Sequence, residues 1–351
     1  MTSSFLQLVT IFEAIAGGLI AAILFSLLAI KIARRAKLLD IPGSAAHKQH
    51  SRPTPLAGGI ATVMSAIVLM TIFHLWKMPF SVLLLATAVI FAFGIWDDAK
   101  GLSALQKLVG QIIASVLLIA SGSSIRFLEN FSIPFLSPTA ITIFNWSLTI
   151  FWLVGIANSI NLIDSMDGLA VGTVGIAFAF FTVMAQVAQQ GQLALFSAIL
   201  LGICIGIYIF NVSPARLFLG DAGAQTLGFI LAAVAMIYSP YDLPQGSSWF
   251  VPILVLGVPI FDTTLVVVSR LRLHKPVFQA DLAHTYHRLV SMGFDPNRAV
   301  LVVHVTTLIL NFLAIIALSL SPWKANAVFF SVVLAGAMLL IFFVRKLPQP
   351  N

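Results

Sequence analysis

The sequence contains one cysteine, Cys204, and very little charge. A lone cysteine excludes an intrachain disulfide. Charged residues make up 9% of the 351 positions and hydrophobic residues 60%, whereas soluble domains carry about a quarter charged residues. No polar segment is long enough to form a separate globule. The composition therefore excludes a soluble domain of this size and predicts one membrane-embedded domain over residues 1–351.

Long apolar runs recur along the whole chain. A transmembrane helix needs about 20 mostly apolar residues. Runs that meet or nearly meet this length lie near residues 8–31, 56–75, 80–96, 104–121, 139–157, 168–188, 192–210, 224–239, 250–269, 299–320 and 325–344. We expect the first run to be a retained helix, because it is too long for a signal-peptide core. The pattern predicts an all-α polytopic bundle of about eleven transmembrane helices, with Pro252 and Pro259 kinking the ninth unless neighbours compensate.

The basic residues are distributed unevenly between the two sides of the predicted bundle. When the runs are alternated across the membrane, sixteen of the nineteen Lys and Arg residues fall on one side, and only Lys77, Arg126 and Lys324 on the other. Cytoplasmic loops are enriched in Lys and Arg, so the N-terminus is predicted outside and the C-terminus in the cytoplasm. The net charge of +7 is then a topology signal, and it gives no support to nucleic-acid binding.

The acidic residues collect on the predicted cytoplasmic side. Glu13, Glu129 and Asp242 are the exceptions among the twelve. The others are Asp40, Asp97, Asp98, Asp164, Asp167, Asp221, Asp262, Asp281 and Asp295. A carboxylate at the bilayer centre costs roughly 2.5 to 3.5 kcal/mol on insertion scales. We therefore expect several of these acids to converge on water, on a cation or on one another.

Two acidic motifs flank predicted spans. Asp97 and Asp98 end the third span, and Lys107 begins the fourth; a solvated helix end is the simpler interpretation of this pair. Asp221 lies between two glycines before the short eighth span, where glycine permits positive φ and close approach of a ligand. An ordinary helix N-cap is the alternative for Asp221.

A third motif places amides and carboxylates at a spacing of three, in residues 158–168. Asn158, Asn161, Asp164 and Asp167 would share one face of a helix, which would align their oxygens between two spans. Helix capping explains one such residue but not four.

The longest predicted cytoplasmic loop is rich in basic and histidine side chains. His284, His287 and Arg288 lie three and four residues apart, so they share a face if the segment is helical and suit phosphate or pyrophosphate recognition. A simple basic membrane anchor is the alternative. Zinc is disfavoured, since no cysteine accompanies these histidines.

The residue types together indicate magnesium-assisted phosphoryl transfer. Magnesium is usually held by one or two carboxylates plus substrate phosphates, and basic groups neutralise the remaining phosphate charge. Mn²⁺ is an alternative ion. A site at the cytoplasmic membrane surface could take a nucleotide from the cytosol and a lipid phosphate from the bilayer.

These motifs resemble those of the polyprenyl-phosphate N-acetylhexosamine-1-phosphate transferases over nearly the whole chain. The shared segments are DIPGSAAHKQHSRPTPLAGG from Asp40, GIWDDAKGLSALQK from Gly94, NSINLIDSMDGLA from Asn158, FLGDAGA from Phe218 and PIFDT from Pro259. The family includes UDP-N-acetylglucosamine:undecaprenyl-phosphate enzymes and the phospho-N-acetylmuramoyl-pentapeptide transferases. The resemblance implies a multi-pass protein of the bacterial inner membrane with its active site facing the cytoplasm.

The resemblance also implies roles for individual residues. The lipid phosphate would attack the sugar-bearing β-phosphorus and release UMP. Asp221, Asp98 and Asp167 are the expected metal ligands. The expected catalytic set is Asp97, Asp98, Asp164 and Asp167, and the expected substrate-binding set is Lys107, Asn158, Asn161, His50, His284, His287 and Arg288. Undecaprenyl phosphate and a UDP-N-acetylhexosamine are the expected partners, and a homodimer is left open.

The chain departs from the family pattern in the histidine loop. Tyr286 replaces a frequent histidine, and Leu282 stands where an arginine is common after Asp281; Ala224 and Leu56 replace a serine and an arginine elsewhere. The loop lacks the His-His-His-Phe-Glu type motif of the muramoyl-pentapeptide enzymes, which favours a simple N-acetylhexosamine donor. The muramoyl-pentapeptide reaction remains an alternative.

A cation-coupled transporter is the competing function from another class, because acids in membrane spans often mark ion paths. Transporter sites usually lie near the bilayer midplane. The acids here collect at helix ends instead, so the enzyme interpretation is preferred.

Overall fold

A computed structural model describes residues 2–42, 52–127, 136–240, 248–274 and 284–346. The helices described are α1 (Thr2–Arg35), α2 (Gly58–Ile72), α3 (Phe80–Lys100), α4 (Ala104–Ala120), α5 (Pro138–Ile163), α6 (Leu169–Val187), α7 (Gly191–Asn211), α8 (Gly220–Ile237), α9 (Val251–Val255), α10 (Gly257–Arg272), α11 (Thr285–Ser291), α12 (Pro296–Leu318) and α13 (Pro322–Lys346). Two short strands, β1 (Leu39–Asp40) and β2 (Thr54–Pro55), pair antiparallel. The predicted all-α membrane fold is confirmed.

Each apolar run found in the sequence coincides with helix. Eight helices in the described part of the chain are long and apolar enough to cross a membrane, and α2 and α4 are shorter apolar helices. The ninth run is divided into α9 and α10. The number of membrane crossings and the sides on which the termini lie stay predictions.

The helix that carries Asp221 lies at the centre of the bundle. In the apolar stretch of α8, 78% of the residues are buried, compared with 22% in α1 and 11% in α13. Helices α2, α3 and α5 pack against α8, and α1 packs along α7. This arrangement surrounds the N-terminus of α8 with the ends of its neighbours.

Glycines bring α2 and α3 unusually close to the start of α8. A Cβ atom on Gly94 would lie 2.4 Å from Ala222 Cα, and one on Gly59 would lie 2.7 Å from Gly223 N. Contacts under 3 Å require the backbones to separate. The start of α2 extends the contact, because the N–H groups of Ala57 and the two glycines that follow donate to the carbonyls that precede α8. Small residues thus fix the height of Asp221 relative to α3.

The break between α9 and α10 is compensated by a neighbouring helix. Pro259 has no N–H to donate to the Val255 carbonyl four residues earlier. The Asn311 side chain of α12 supplies that hydrogen bond instead, with Nδ2 3.2 Å from the Val255 oxygen. The ninth run is therefore interrupted between α9 and α10, as its prolines predicted, and a neighbouring helix supplies the missing donor.

Candidate active site

The ends of α3, α4, α5 and α8 meet in a group of side chains that we call the carboxylate cluster: Asp97, Asp98, Lys107, Asn161 and Asp221. Lys107 Nζ contacts Asp97 Oδ2 and lies 2.9 Å from Asp221 Oδ2. Asn161 Nδ2 donates to Asp221 Oδ1. Residues separated by more than 100 positions in sequence are therefore in direct contact, as the distribution of acids predicted.

Asp97 is too deeply buried to be an ordinary solvated helix end. It is 8% exposed, and its Oδ1 accepts the Leu102 N–H at 2.6 Å. Its other oxygen faces Lys107. The structure therefore disfavours a solvated helix end as the explanation for Asp97.

Asp98 caps α8 from the neighbouring helix. Its Oδ1 accepts the N–H of Asp221 at 2.8 Å, and its Oδ2 accepts the N–H of Ala222 at 3.2 Å. The first turn of a helix leaves such N–H groups without intrahelical partners. Gly220, at φ +70°, makes room, since a Cβ there would lie 2.6 Å from Asp98 Oδ2. Asp221 itself lies in the first turn and is not the N-cap.

The three-residue spacing does not produce one continuous helical face. Helix α5 ends at Ile163, Asp164 is its C-cap, and Gly168 at φ +76° is the N-cap of α6. Asp167 therefore lies in the connection, where its Oδ2 accepts the Ala215 N–H at 3.0 Å. The expectation of four residues on one helix face was wrong beyond Asn161, because the chain turns before Asp167.

The pKa of the Asp164 carboxyl is raised by its surroundings. Its burial, followed by the charges of Asp221, Asp98 and Asp167, raises the pKa of its carboxyl to about 8. Desolvation and like charges both disfavour a second anion.

A layer of amide side chains lies one helical turn deeper than the cluster. Gln111 Nε2 donates to Asn158 Oδ1 at 3.2 Å and to Gln225 Oε1 at 3.0 Å, and Asn158 Nδ2 returns a bond to Gln111 Oε1 at 2.8 Å. Asn158, a predicted substrate ligand, is thus held by protein partners. Gln111 and Gln225 were not predicted. They follow Lys107 and Asp221 by four residues, a same-face spacing that could have revealed them.

The second polar group, the histidine cluster, comprises Asp262, Ser269, His284, Tyr286 and Arg288. Asp262 Oδ2 lies 2.7 Å from His284 Nδ1. Arg288 is 1% exposed; its guanidinium donates to Ser269 Oγ at 2.8 Å and to the Phe343 carbonyl at 2.6 Å. Burial and these partners favour a scaffold function for Arg288, although its predicted substrate role stays a prediction.

The remaining predicted ligands are His50 and His287. His50 lies outside the described residues, and so do Asp281 and Leu282 of the histidine loop. His287 is half-buried, and its ring centroid lies 4.6 Å from that of Tyr286. His287 therefore lies beside the histidine cluster, and its role in substrate binding stays a prediction.

The oxygen atoms of the carboxylate cluster fit a magnesium ion that is bound partly by the protein and partly by substrate phosphates, but not one that is enclosed by protein ligands alone. Among the described residues, no group of three or more His, Cys, Asp or Glu side chains could hold a metal ion. Asp98 and Asp167 also accept backbone hydrogen bonds, and their roles as metal ligands stay predictions. Magnesium ordinarily keeps waters and takes substrate phosphates beside one or two carboxylates. The side chain of Asp221, 29% exposed, is the best placed of these ligands.

The chain was compared with protein families and with individual known proteins. Residues 80–239 match the model of glycosyl transferase family 4. The chain is 29% identical to a probable undecaprenyl-phosphate N-acetylglucosaminyl 1-phosphate transferase of Bacillus subtilis, over 93% of this chain and 90% of the relative. It is 30% identical to a decaprenyl-phosphate N-acetylglucosaminephosphotransferase of Mycobacterium leprae, over 85% and 82%. It is also 31% identical to a phospho-N-acetylmuramoyl-pentapeptide-transferase of Halalkalibacterium halodurans, over 78% and 86%.

Proposed function

Because the chain belongs to glycosyl transferase family 4, we propose that it transfers N-acetylglucosamine 1-phosphate from UDP-N-acetylglucosamine to undecaprenyl phosphate. An oxygen of the lipid phosphate forms a bond to the sugar-bearing β-phosphorus. The bond from that phosphorus to the bridging oxygen breaks, and UMP leaves with the bridging oxygen. The product is a lipid-linked diphosphate sugar that starts an envelope glycan.

The observation that carries this proposal is the contact of Lys107 and Asn161 with Asp221 beside the Asp98-capped start of α8. Lys107 supplies a cation for phosphate oxygens, and α8 directs its N-terminal dipole at the same place. Magnesium, which we propose as the cofactor, would be held by Asp221 and would supply charge stabilisation for the phosphates. Asp97 keeps Lys107 in place.

The bilayer is the source of one substrate, and the cytosol of the other. The excess of Lys and Arg on one side of the predicted bundle supports a site at the inner surface of the bacterial cytoplasmic membrane. In that position the phosphate of a membrane-anchored acceptor and a soluble nucleotide sugar can meet without either crossing the bilayer.

The identity of the donor sugar is a separate step of the proposal. Sequence identity does not separate the two classes of relative, at 29% to 31%. The loop HTYHR, with Tyr286 buried between two histidine rings, lacks the triple histidine associated with the muramoyl-pentapeptide reaction. This difference supports N-acetylglucosamine as the donor sugar.

A donor panel tests the proposal. Purified protein with undecaprenyl phosphate and Mg²⁺ is given UDP-N-acetylglucosamine, UDP-N-acetylgalactosamine or UDP-N-acetylmuramoyl-pentapeptide, and UMP release is measured with and without a chelator. We expect release with UDP-N-acetylglucosamine that stops on chelation. Release only from the pentapeptide donor would establish the alternative reaction, and no release from any donor would refute the proposal.

A further inference from the structure

We propose that Asp262 is a positioning residue that fixes the tautomer and orientation of His284 for binding the nucleotide sugar. The inference rests on the proposed function, because it assigns His284 to the UDP-sugar. It concerns a carboxylate outside the carboxylate cluster that none of the motif roles described above includes.

The contact between the two side chains determines which ring nitrogen carries the proton. Asp262 is 1% exposed, and its Oδ2 lies 2.7 Å from His284 Nδ1. An ionised carboxylate can only accept hydrogen bonds. Nδ1 must therefore be the donor, and Nε2 is the nitrogen left for a substrate.

The second oxygen of Asp262 fixes the backbone that carries the ring. Its Oδ1 accepts the N–H of Thr285, the first residue of α11, at 2.7 Å. His284 is the N-cap and makes no side-chain cap of its own. One carboxylate thus sets both the start of the helix and the imidazole immediately before it.

Two further contacts restrict movement of the histidine. The ring of His284 stacks on the buried ring of Tyr286, with centroids 5.3 Å apart and planes 14° apart. Ser269 lies two helical turns after Asp262 on α10 and accepts a hydrogen bond from Arg288. Because α10 holds α11 at its first residue and at Arg288, His284 cannot reorient without breaking its contacts with Asp262.

This arrangement is the one by which a carboxylate commonly orients a functional imidazole: the carboxylate binds one ring nitrogen and directs the other outward. Hydrogen bonds to charged groups contribute about 1.5 to 3 kcal/mol. Loss of an oriented Nε2 contact should therefore lower the use of the nucleotide sugar by about ten- to a hundred-fold.

The test is a double-mutant cycle with Asp262→Asn and His284→Ala. Asparagine keeps the size of the side chain but has one acceptor oxygen, and its amide nitrogen is a donor, so it cannot serve both His284 Nδ1–H and Thr285 N–H. We expect each single variant to lower kcat/KM for the UDP-sugar mainly through KM, with the KM for undecaprenyl phosphate within about twofold. In the His284→Ala background, Asp262→Asn should add less than about a twofold effect, because coupled residues are non-additive. Additive effects would overturn the proposal.

Thr285→Pro separates orientation of the ring from support of the helix. Proline is tolerated at the first helical position and removes the N–H that Asp262 accepts. It also favours an extended preceding residue, and His284 already has φ −66° and ψ 153°. We expect this variant to keep the donor KM within about threefold. A loss equal to that of Asp262→Asn would assign Asp262 to the helix start alone and contradict the proposal.

Asp295→Asn is the matched control, because Asp295 caps α12 nearby and its side chain accepts from Arg298 N. Detergent-solubilised variants are compared for monodispersity and thermal unfolding.

If Asp262→Asn does not fold, Asp262→Glu retains the charge but displaces it, and a wild-type donor KM there would refute the inference. If the wild type releases no UMP, the proposed function fails, and the same cycle is measured on UDP-sugar binding by calorimetry. Absence of that binding would also refute the role of Asp262.

Discussion

The carboxylate cluster and the histidine cluster differ in how their charges are balanced. In the first, Lys107 is the one cation of the cluster within the described residues, and it contacts Asp97 and Asp221, whose side chain is 29% exposed. Asp98 accepts backbone N–H groups instead. In the histidine cluster, Asp262 is satisfied by His284 and Thr285, and the buried Arg288 by Ser269 and a carbonyl.

Surplus negative charge near a membrane is costly unless something compensates it. Within the described residues, the three carboxylates of the carboxylate cluster outnumber its one cation, whereas the carboxylate and the guanidinium of the histidine cluster each have hydrogen-bond partners. This difference is consistent with the proposed division of roles, in which the carboxylate cluster acts on phosphates and Asp262 positions His284.

The largest expected effect comes from Asp221→Asn. Neutralising this residue removes the accessible carboxylate but leaves its size and the packing of α8, so UMP release should fall by at least about a hundred-fold. Insertion and thermal unfolding should match those of the wild type. Asp295→Asn removes an exposed carboxylate elsewhere and controls for charge. Full turnover by Asp221→Asn would remove Asp221 from the proposed metal role.

Lys107→Gln tests the charge balance of the carboxylate cluster by removing a cation instead of an anion. Removing the cation that contacts both Asp97 and Asp221 leaves their oxygens facing each other, so we expect activity to fall about ten- to a hundred-fold. The variant should also be less stable without divalent ions and gain a larger thermal shift from Mg²⁺ than the wild type does, because a bound ion stabilises the folded state. Equal shifts in the two proteins would show that the cluster does not require an external cation.

Gly94→Ala tests whether the carboxylate cluster depends on the close approach of α3 and α8. The added methyl would meet Ala222 Cα at 2.4 Å, and overpacking of this kind costs about 1 to 3 kcal/mol. Gly155→Ala is the matched control, since no atom lies within 4 Å of the methyl it would add to α5. We expect lower thermal stability and activity for Gly94→Ala alone. Equal behaviour of the two variants would show that the α3–α8 spacing is not critical.

The sequence alone predicted the apolar helices and the meeting of the acids, because bilayer thickness and the cost of burying charge act on composition and spacing. It did not predict that Asp98 caps α8, that Gln111 and Gln225 support Asn158, or that Asp262 binds His284. These contacts depend on how separate helices are placed in three dimensions. The bend before Asp167 was also missed, because a regular spacing does not reveal where a helix ends.

The smallest expected effect is that of Arg288→Lys, and it decides whether Arg288 belongs to the scaffold or to the substrate site. Lysine keeps the charge but lacks the planar fork that reaches both Ser269 Oγ and the Phe343 carbonyl, so we expect a loss of about 1 to 2 kcal/mol in stability. The KM for the UDP-sugar should remain within about threefold of the wild-type value, because the guanidinium is directed into the protein. Thermal unfolding and donor kinetics are measured on the same preparation. A tenfold rise in KM at unchanged stability would instead place Arg288 against the substrate and remove the contrast between the two clusters.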